Sequence, residues 1–231
     1  MKPRESILDY IRRHPVLFYR IMPLRRRYHG LLISKSTQLV VEGYPRCANT
    51  YAVAVLKTSQ PAAIELARHT HAIAQIKRAY QERIPTLLLI RSPEDAILSY
   101  VIREENVDIP LAIRRYVSFH EAALPLARDF VVSDFNTTTT DFNKVILALN
   151  GRFALNLAEF HPTDETDAEI RTAVENMEMK DSGGHLSEAR VARPSASRTA
   201  IKHRMRDELK KFDRDLAVAL RLYSKMREIS L

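Results

Sequence analysis

The chain is poor in cysteine and in long apolar runs. Its single cysteine, Cys47, excludes an internal disulfide and any zinc site built on several cysteines. No window approaches the roughly 18 uninterrupted apolar residues of a membrane span, and the basic start lacks the apolar core of a secretory signal peptide. We therefore expect a cytoplasmic protein. Its 231 residues, 45% of them hydrophobic, are enough for one sizeable core, so we expect a single domain.

Positive charge is concentrated at the two ends of the chain, whose net charge is +8. Residues 1–30 hold eight Lys and Arg against two acids, and residues 190–231 hold twelve against five, whereas the middle is acidic. Such ends suit an anionic ligand, a membrane surface or nucleic acid, but they also occur as ordinary solvated helix faces. No aromatic-rich RNA-binding motif accompanies them, so we do not expect nucleic acid as a partner.

The N-terminal segment interleaves arginines with Leu, Phe, Tyr and Ile. This composition favours a helix packed on the domain. It also fits peripheral contact with an anionic membrane surface, or help in binding an acidic acceptor.

Short β-rich runs alternate with helical patterns through the middle of the chain. The runs cover residues 38–43, 84–91 and 128–135, with a weaker candidate at 63–69, and helical spacing fills 50–60, 72–82, 93–104 and 139–150. This alternation predicts an α/β fold in which helices cover both faces of a parallel sheet. Beyond residue 162, charged helices flank a Ser-, Gly- and Arg-rich loop. We expect a basic N-terminal extension (1–37), an α/β core (38–160) and a helical C-terminal part (161–231) with a flexible loop near 181–197.

The segment GYPRCANTY, residues 43–51, has the length of a phosphate-binding loop between a strand and a helix. Backbone N–H groups and the helix dipole at such a helix start attract an oxyanion. Arg46 would add a cation and Thr50 a hydroxyl. The triphosphatase version of this loop has Gly-Lys where Ala48-Asn49 stands, and an ordinary structural turn would look the same.

A second motif, RSPEDAILS, begins with Arg91 at the end of a buried strand. Ser92 and Pro93 are a typical N-cap and first helical residue, and Ser99 follows inside an apolar stretch. A triphosphatase would need an aspartate at the end of such a strand to hold magnesium. Arginine there favours an anion over a metal, so we expect no metal site.

Together, the two motifs resemble those of sulfotransferases that use 3′-phosphoadenosine 5′-phosphosulfate (PAPS), whose loops read TYPKSGTTW and R-x-P-x-D-x-x-x-S. The resemblance covers residues 38–103, with a weaker continuation, and implies a P-loop-like three-layer fold. It also implies binding residues for PAPS: Arg46, Cys47, Ala48, Asn49, Thr50 and Tyr51 for the 5′-phosphosulfate, and Arg91 and Ser99 for the 3′-phosphate. The tail segment resembles less closely the one that closes over the nucleotide, which makes Arg198 and Lys202 candidates for the 3′-phosphate.

Two departures from the family pattern concern the loop. The family lysine is Arg46 here, and the family serine and glycine are Cys47 and Ala48. Arginine keeps the charge but presents a planar fork, and Ala48 would be strained if its position requires a positive φ. Cys47 among helix-start amides and beside Arg46 would be a buried inert thiol or, alternatively, an oxidisable thiol with a lowered pKa.

Sulfuryl transfer needs a base for the acceptor hydroxyl, and the resemblance matches His71 to the family's catalytic histidine, with Arg46 stabilising the transferred group. His69 lies two residues away and would point to the opposite face of a continuing strand. Glu65 and Glu104 are alternatives that no motif selects.

The sequence thus predicts a PAPS-dependent sulfotransferase acting on a hydroxyl acceptor such as a carbohydrate, a lipid headgroup or another small alcohol. Two rivals stay open: a P-loop kinase or nucleotide hydrolase with Asp134 as its magnesium ligand, and a non-catalytic nucleotide-binding relative. The sequence gives neither the acceptor nor the oligomeric state.

Overall fold

A four-stranded parallel sheet forms the centre of the fold in the computed structural model, which describes residues 3–181, 201 and 205–231. The strands are β1 (Leu39–Gly43), β2 (Leu66–Arg68), β3 (Thr86–Ile90) and β4 (Val131–Asp134), in the spatial order β2-β1-β3-β4. Every residue of β1, β3 and β4 is buried, as expected for a parallel sheet covered on both faces.

Ten helices with defined ends surround the sheet in the described residues: α1 (Pro3–Ile11), α2 (Pro15–Ile21), α3 (Asn49–Ser59), α4 (Ile73–Gln81), α5 (Pro93–Arg103), α6 (Ile109–Ala123), α7 (Phe135–Thr140), α8 (Phe142–Phe153), α9 (Asp164–Asp181) and α10 (Asp213–Arg227). Three short 3₁₀ turns cover Met22–Leu24, Arg26–Tyr28 and Leu124–Asp129. None of the helices in these ranges combines the length and the apolarity needed to cross a membrane.

Alternate residues of β1 face different helices, because side chains along a strand point to opposite faces. Val40 packs with Ala67 of β2 and Ala79 of α4 in a small cluster. Leu39 and Val41 belong instead to the main core that contains the buried face of α3. Helices therefore cover both faces, and the predicted α/β class is confirmed.

The N-terminal extension is packed onto the domain. Phe18, Met22 and Tyr28 form a second cluster with two alanines at the start of α4, one of which is Ala74. The backbone N–H of Ala74 donates to the carbonyl of Arg12 at 2.9 Å. The segment between α1 and α2 is thereby fixed beside the chain that enters α4.

Sequence periodicity located three of the four strands within a few residues, and the weak candidate at 63–69 contains the three-residue β2. Ser92 caps α5 as predicted, accepting the N–H of Asp95, with Pro93 as the first helical residue. No helix was predicted where α6 lies, between the helical pattern at 93–104 and the β-rich run at 128–135. The domain boundaries remain predictions.

Candidate functional site

Gly43 ends β1 at a point where no side chain fits. A Cβ atom there would lie 2.4 Å from the Leu89 carbonyl oxygen of neighbouring β3. The chain then turns through Arg46, with φ of 71°, and Ala48, with φ of 68°, before α3 begins at Asn49. Ala48 therefore has the strained left-handed conformation that a non-glycine residue adopts at a position of positive φ. The alternation of positive and negative φ through this turn is the backbone pattern of an anion-binding nest.

Five consecutive backbone N–H groups in this loop have no acceptor within the described part of the chain. They belong to Cys47, Ala48, Asn49, Thr50 and Tyr51, and the first hydrogen bond of α3 is donated by Ala52 to the Ala48 carbonyl. The first N–H groups of a helix have no intrahelical acceptor, and here those of α3 follow two further loop N–H groups at a helix N-terminus, where the dipole favours negative charge. The loop is thus prepared to bind an oxyanion.

Buried side chains hold the loop from beneath. Asn49 donates its Nδ2 to the Tyr44 carbonyl at 3.1 Å, and the Tyr44 hydroxyl donates to the Ala112 carbonyl at 3.0 Å. Tyr51 packs its ring against Phe142 in the core, so only its backbone faces the loop.

Cys47 is fully buried and belongs to the main core. Burial raises the pKa of the Cys47 thiol to about 12, and the charges of Arg91 and Arg46 lower it only in part. The suggestion of a lowered pKa is therefore wrong, and Cys47 is an inert thiol.

Two arginines and a serine from different elements meet at this edge of the sheet. The Nε of Arg46 donates to Ser99 Oγ on α5 at 3.1 Å. Arg91, which directly follows β3, donates its Nη1 to the Arg46 carbonyl at 2.9 Å, and its guanidinium stacks on Phe135. The structure thus unites Arg46, Arg91 and Ser99, which the sequence placed 53 residues apart at the widest.

His71 lies beside the same loop. Its Nδ1 is 2.8 Å from the Gly43 carbonyl oxygen, and because a carbonyl only accepts, Nδ1 carries the proton. Nε2 is then the basic nitrogen. Burial lowers the pKa of His71 to about 4, opposed by the Gly43 hydrogen bond and reinforced by the charges of Arg12, Arg103 and Arg46. The ring is therefore neutral at pH 7, the state in which it can accept a proton.

Glu42 fixes the loop that carries His71. Its buried carboxylate accepts the N–H and the hydroxyl of Thr70, both at 2.8 Å, the N–H of His71 at 2.9 Å and the amide of Gln75 at 3.0 Å. Burial raises the pKa of Glu42 from 4.5 to about 7, although these hydrogen bonds oppose the shift. Sequence reasoning missed this residue, and the available signal was a lone carboxylate in a wholly buried strand.

His69 is bound differently from His71. Both have positive φ, 56° and 50°. Since β2 ends at Arg68, the strand alternation expected to place the two rings on opposite faces does not apply. Arg68 donates to His69 Nδ1 at 2.9 Å, while His69 Nε2 is buried with no hydrogen-bond partner in the described residues. Burial lowers the pKa of His69 well below 6.5.

A cavity of about 340 Å³ opens next to His71. Its lining includes Tyr44 and Pro45 from the start of the loop, residues of α1 and the turn after it, residues of α6, and single residues of α4 and α5. This volume lies at the small end of the usual range for small-molecule sites.

The remaining candidates lie apart from this constellation. Glu65 is exposed at the amino-terminal end of β2, and Glu104 is half exposed beside Arg103. Asp134 caps α7 through the N–H of Thr137 at 2.9 Å and lies 3.7 Å from Arg227. Arg198 and Lys202 lie outside the described residues. In the ranges that are described, no three His, Cys, Asp or Glu side chains cluster as metal ligands would.

Comparison with known proteins gives limited information. No protein-family model matches the chain, and no curated protein matches it. Among solved structures, it is similar to a crystal structure of mouse sulfotransferase SULT7A1 complexed with PAP, with a TM-score of 0.41 and 13% sequence identity over 86% of this chain and 92% of that one. At that TM-score the similarity carries no weight, so the description of the site depends on its own geometry.

Proposed function

We propose that this protein transfers a sulfuryl group from PAPS to a hydroxyl acceptor. The observation that carries the proposal is the run of five N–H groups, Cys47 to Tyr51, that have no acceptor among the described residues, with Arg46 preceding the run and a neutral His71 bonded to Gly43 at the start of the loop. An anion site and a base adjoin one cavity, which is what transfer of a charged group to a hydroxyl requires.

In this proposal the nest holds the 5′-phosphosulfate. Its N–H groups and the Arg46 guanidinium face the bridging and terminal oxygens, with the Thr50 hydroxyl at the first turn of α3. Arg91 and Ser99 bind the 3′-phosphate. In the structure, Ser99 Oγ accepts a hydrogen bond from Arg46 Nε. When the nucleotide binds, each of these two side chains gives up this hydrogen bond and contacts an anionic group of the ligand instead.

The chemical step needs one proton acceptor and a cationic cradle. His71 Nε2 takes the proton of the acceptor hydroxyl as its oxygen attacks sulfur. The bond between sulfur and the 5′-phosphate oxygen breaks, and its electron pair stays on the departing adenosine 3′,5′-bisphosphate. The N–H groups of the nest and Arg46 stabilise this growing negative charge. Glu42 is a positioning residue, because it holds the His71 backbone.

A calorimetric titration with adenosine 3′,5′-bisphosphate tests the nucleotide half of the proposal, with Mg²⁺–ATP titrated in parallel. Micromolar binding, about −8 kcal/mol, is expected for the bisphosphate. Ser99→Ala and Arg91→Ala should weaken it, whereas Arg83→Ala, at an exposed position preceding the opposite end of β3, should not. Bisphosphate binding that is absent, or equal in all variants, contradicts the proposal.

Preference for Mg²⁺–ATP in that titration would favour the kinase or hydrolase alternative. Bisphosphate binding without transfer to any acceptor would favour a non-catalytic relative. His71→Ala separates that case from an enzyme that lacks only its acceptor, because slow hydrolysis of PAPS by water should fall in this variant.

We also propose a peripheral contact between the N-terminal segment and an anionic membrane. Large apolar side chains are unusually exposed there, with Ile7 at 61%, Val16 at 64% and Leu24 at 84%, among exposed arginines. Sedimentation with phosphatidylserine vesicles should fall when these three residues are changed to serine. Equal sedimentation of the variant would refute this contact.

A further inference from the structure

The cavity beside His71 carries an excess of positive charge. Four arginines line it, two from the turn after α1 and two from α6: Arg12, Arg13, Arg114 and Arg115. Among the described residues that line the cavity, Asp9 is the only acid.

The one acid is already engaged. Asp9 forms an ion pair with Arg115 at 3.1 Å, and Arg115 also donates to the Tyr100 hydroxyl at 3.0 Å. This pair ties α1 to α6 and closes one side of the cavity. Arg115 therefore has a structural partner on the protein.

The other three arginines have no carboxylate partner in the described part of the chain. Arg13 and Arg114 are exposed at the rim. Arg12 is partly buried, and its Nε is shielded from solvent and has no hydrogen-bond partner among residues 3–181, 201 and 205–231. A buried guanidinium N–H without an acceptor is costly unless a ligand supplies one.

The charge of Arg12 reaches both of its titratable neighbours. Burial raises the pKa of Tyr28, but the charge of Arg12 and a hydrogen bond from the Arg12 side chain, followed by the same two effects of Arg27, outweigh burial and lower that pKa. Arg12 also contributes to the lowered pKa of His71. Arg12 is thus electrostatically coupled to the proposed base without pairing to an acid.

We infer that the hydroxyl acceptor carries a negatively charged group, a carboxylate or a phosphate, which Arg12, Arg13 and Arg114 bind while its hydroxyl faces His71. This inference rests on the proposed function and names the acceptor class of the same site. The opposite wall is apolar, formed by Tyr44, Ile73 and Phe119, and suits the body of a small ring. Arginine is the residue best suited to bidentate binding of such oxyanions.

Matched pairs of acceptors test the inference with adenosine 3′,5′-bisphosphate present at saturation, so that the nest is filled. Glucose 6-phosphate is compared with glucose, and 4-hydroxybenzoate with 4-hydroxybenzamide, by calorimetry. In each pair the anion should bind about tenfold more tightly or better. Lack of preference in both pairs overturns the inference.

The double variant Arg12→Gln/Arg114→Gln provides the second arm, with Arg20→Gln on the exposed face of α2 as its control. The preference for the anion should disappear in the double variant and persist in the control, while bisphosphate affinity and thermal unfolding stay unchanged in both. An anion preference that survives the double variant also overturns the inference.

The ring resonances of His71 give a readout that a purely structural role would not change. Because the Arg12 charge lowers the pKa of His71, Arg12→Gln should raise that pKa, and 4-hydroxybenzoate should raise it in the wild type. An unchanged His71 titration in both cases contradicts the placement of the anion. Failure of the bisphosphate itself to bind would overturn the proposed function, a result distinct from the comparison of the acceptor pairs.

Discussion

Two loops at the same edge of the sheet share a backbone pattern but differ in what their N–H groups bind. After β1, Arg46 and Ala48 have positive φ, and after β2, His69 and His71 do. In the second loop the Glu42 carboxylate accepts the N–H groups that the turn exposes. In the first loop no group in the part of the chain that the structure describes accepts them. The loop after β2 is thus a nest that carries its own anion, and the loop after β1 is one that requires an anion from outside.

The largest expected effect comes from removing the Glu42 carboxylate, which binds the N–H groups of the loop after β2. Glu42→Ala leaves two backbone N–H groups and the Thr70 hydroxyl without their acceptor, and the Gln75 amide keeps only its bond to the Leu31 carbonyl. The free energy of unfolding should fall by about 3 kcal/mol. Urea unfolding at pH 7 measures it. Glu82→Ala, which breaks only the exposed pair with Arg78, should cost about 0.5 kcal/mol or less. Similar losses in the two variants would mean that Glu42 does not hold its loop.

Binding of an anion to the loop after β1 should change the free energy of unfolding by a slightly smaller amount and in the opposite direction. Adenosine 3′,5′-bisphosphate at about 100 times its dissociation constant should raise the free energy of unfolding by about 2.7 kcal/mol. Glu42→Gln should keep this gain at the same saturation. Arg46→Ala should lose about 2 kcal/mol of it at the wild-type ligand concentration, because a charge-assisted contact disappears. If the ligand stabilised Arg46→Ala as much as the wild type, the loop after β1 would not be the anion site that the comparison between the loops assumes.

The pH dependence of stability should separate the two loops further. The raised pKa of Glu42 means that its contribution is fully present below pH 4.5 and is lost as the pH rises through about 7. His71 acts in the opposite sense, since its contribution is present above pH 6.5 and is lost as the pH falls through about 4. The difference in the free energy of unfolding between the wild type and Glu42→Gln should therefore decline as the pH rises, by at most about 1.4 kcal/mol per pH unit.

A flat difference between pH 4.5 and 8 would contradict that assignment. The two proteins can be compared by urea unfolding at half-unit intervals, with the loop after β1 unchanged in both. The His71 contribution cancels in the subtraction, so the decline reports Glu42 alone.

The smallest expected effect concerns strain in the open nest. Ala48→Gly removes a Cβ from a residue with φ of 68°. The relief should exceed the entropy that glycine adds to the unfolded chain by about 0.5 kcal/mol, raising the melting temperature by roughly 1–2 °C. Calorimetric melting measures this shift. A lower melting temperature would show that the Ala48 methyl contributes packing that outweighs the strain.

The sequence specified the sheet better than it specified the site. β1, β3 and β4 were recognisable because continuous apolar runs bounded by polar residues are typical of parallel strands. The positions of Arg46 and Arg91 followed from where those runs end. Periodicity could not show that His69 and His71 leave the strand with positive φ, because that depends on the Glu42 carboxylate 28 residues away. Nor could it show that α1 lines a cavity with α6.

The ion pair between Asp9 and Arg115 also has a consequence for the order of assembly. The two residues are 106 positions apart, and the whole of β1, β2 and β3 lies between them. During synthesis the first helix therefore leaves the ribosome long before its partner exists, and the pair closes only after a loop of that length has been brought together. The cavity beside His71 therefore closes late, because the α6 residues that complete it are made about 106 positions after Asp9.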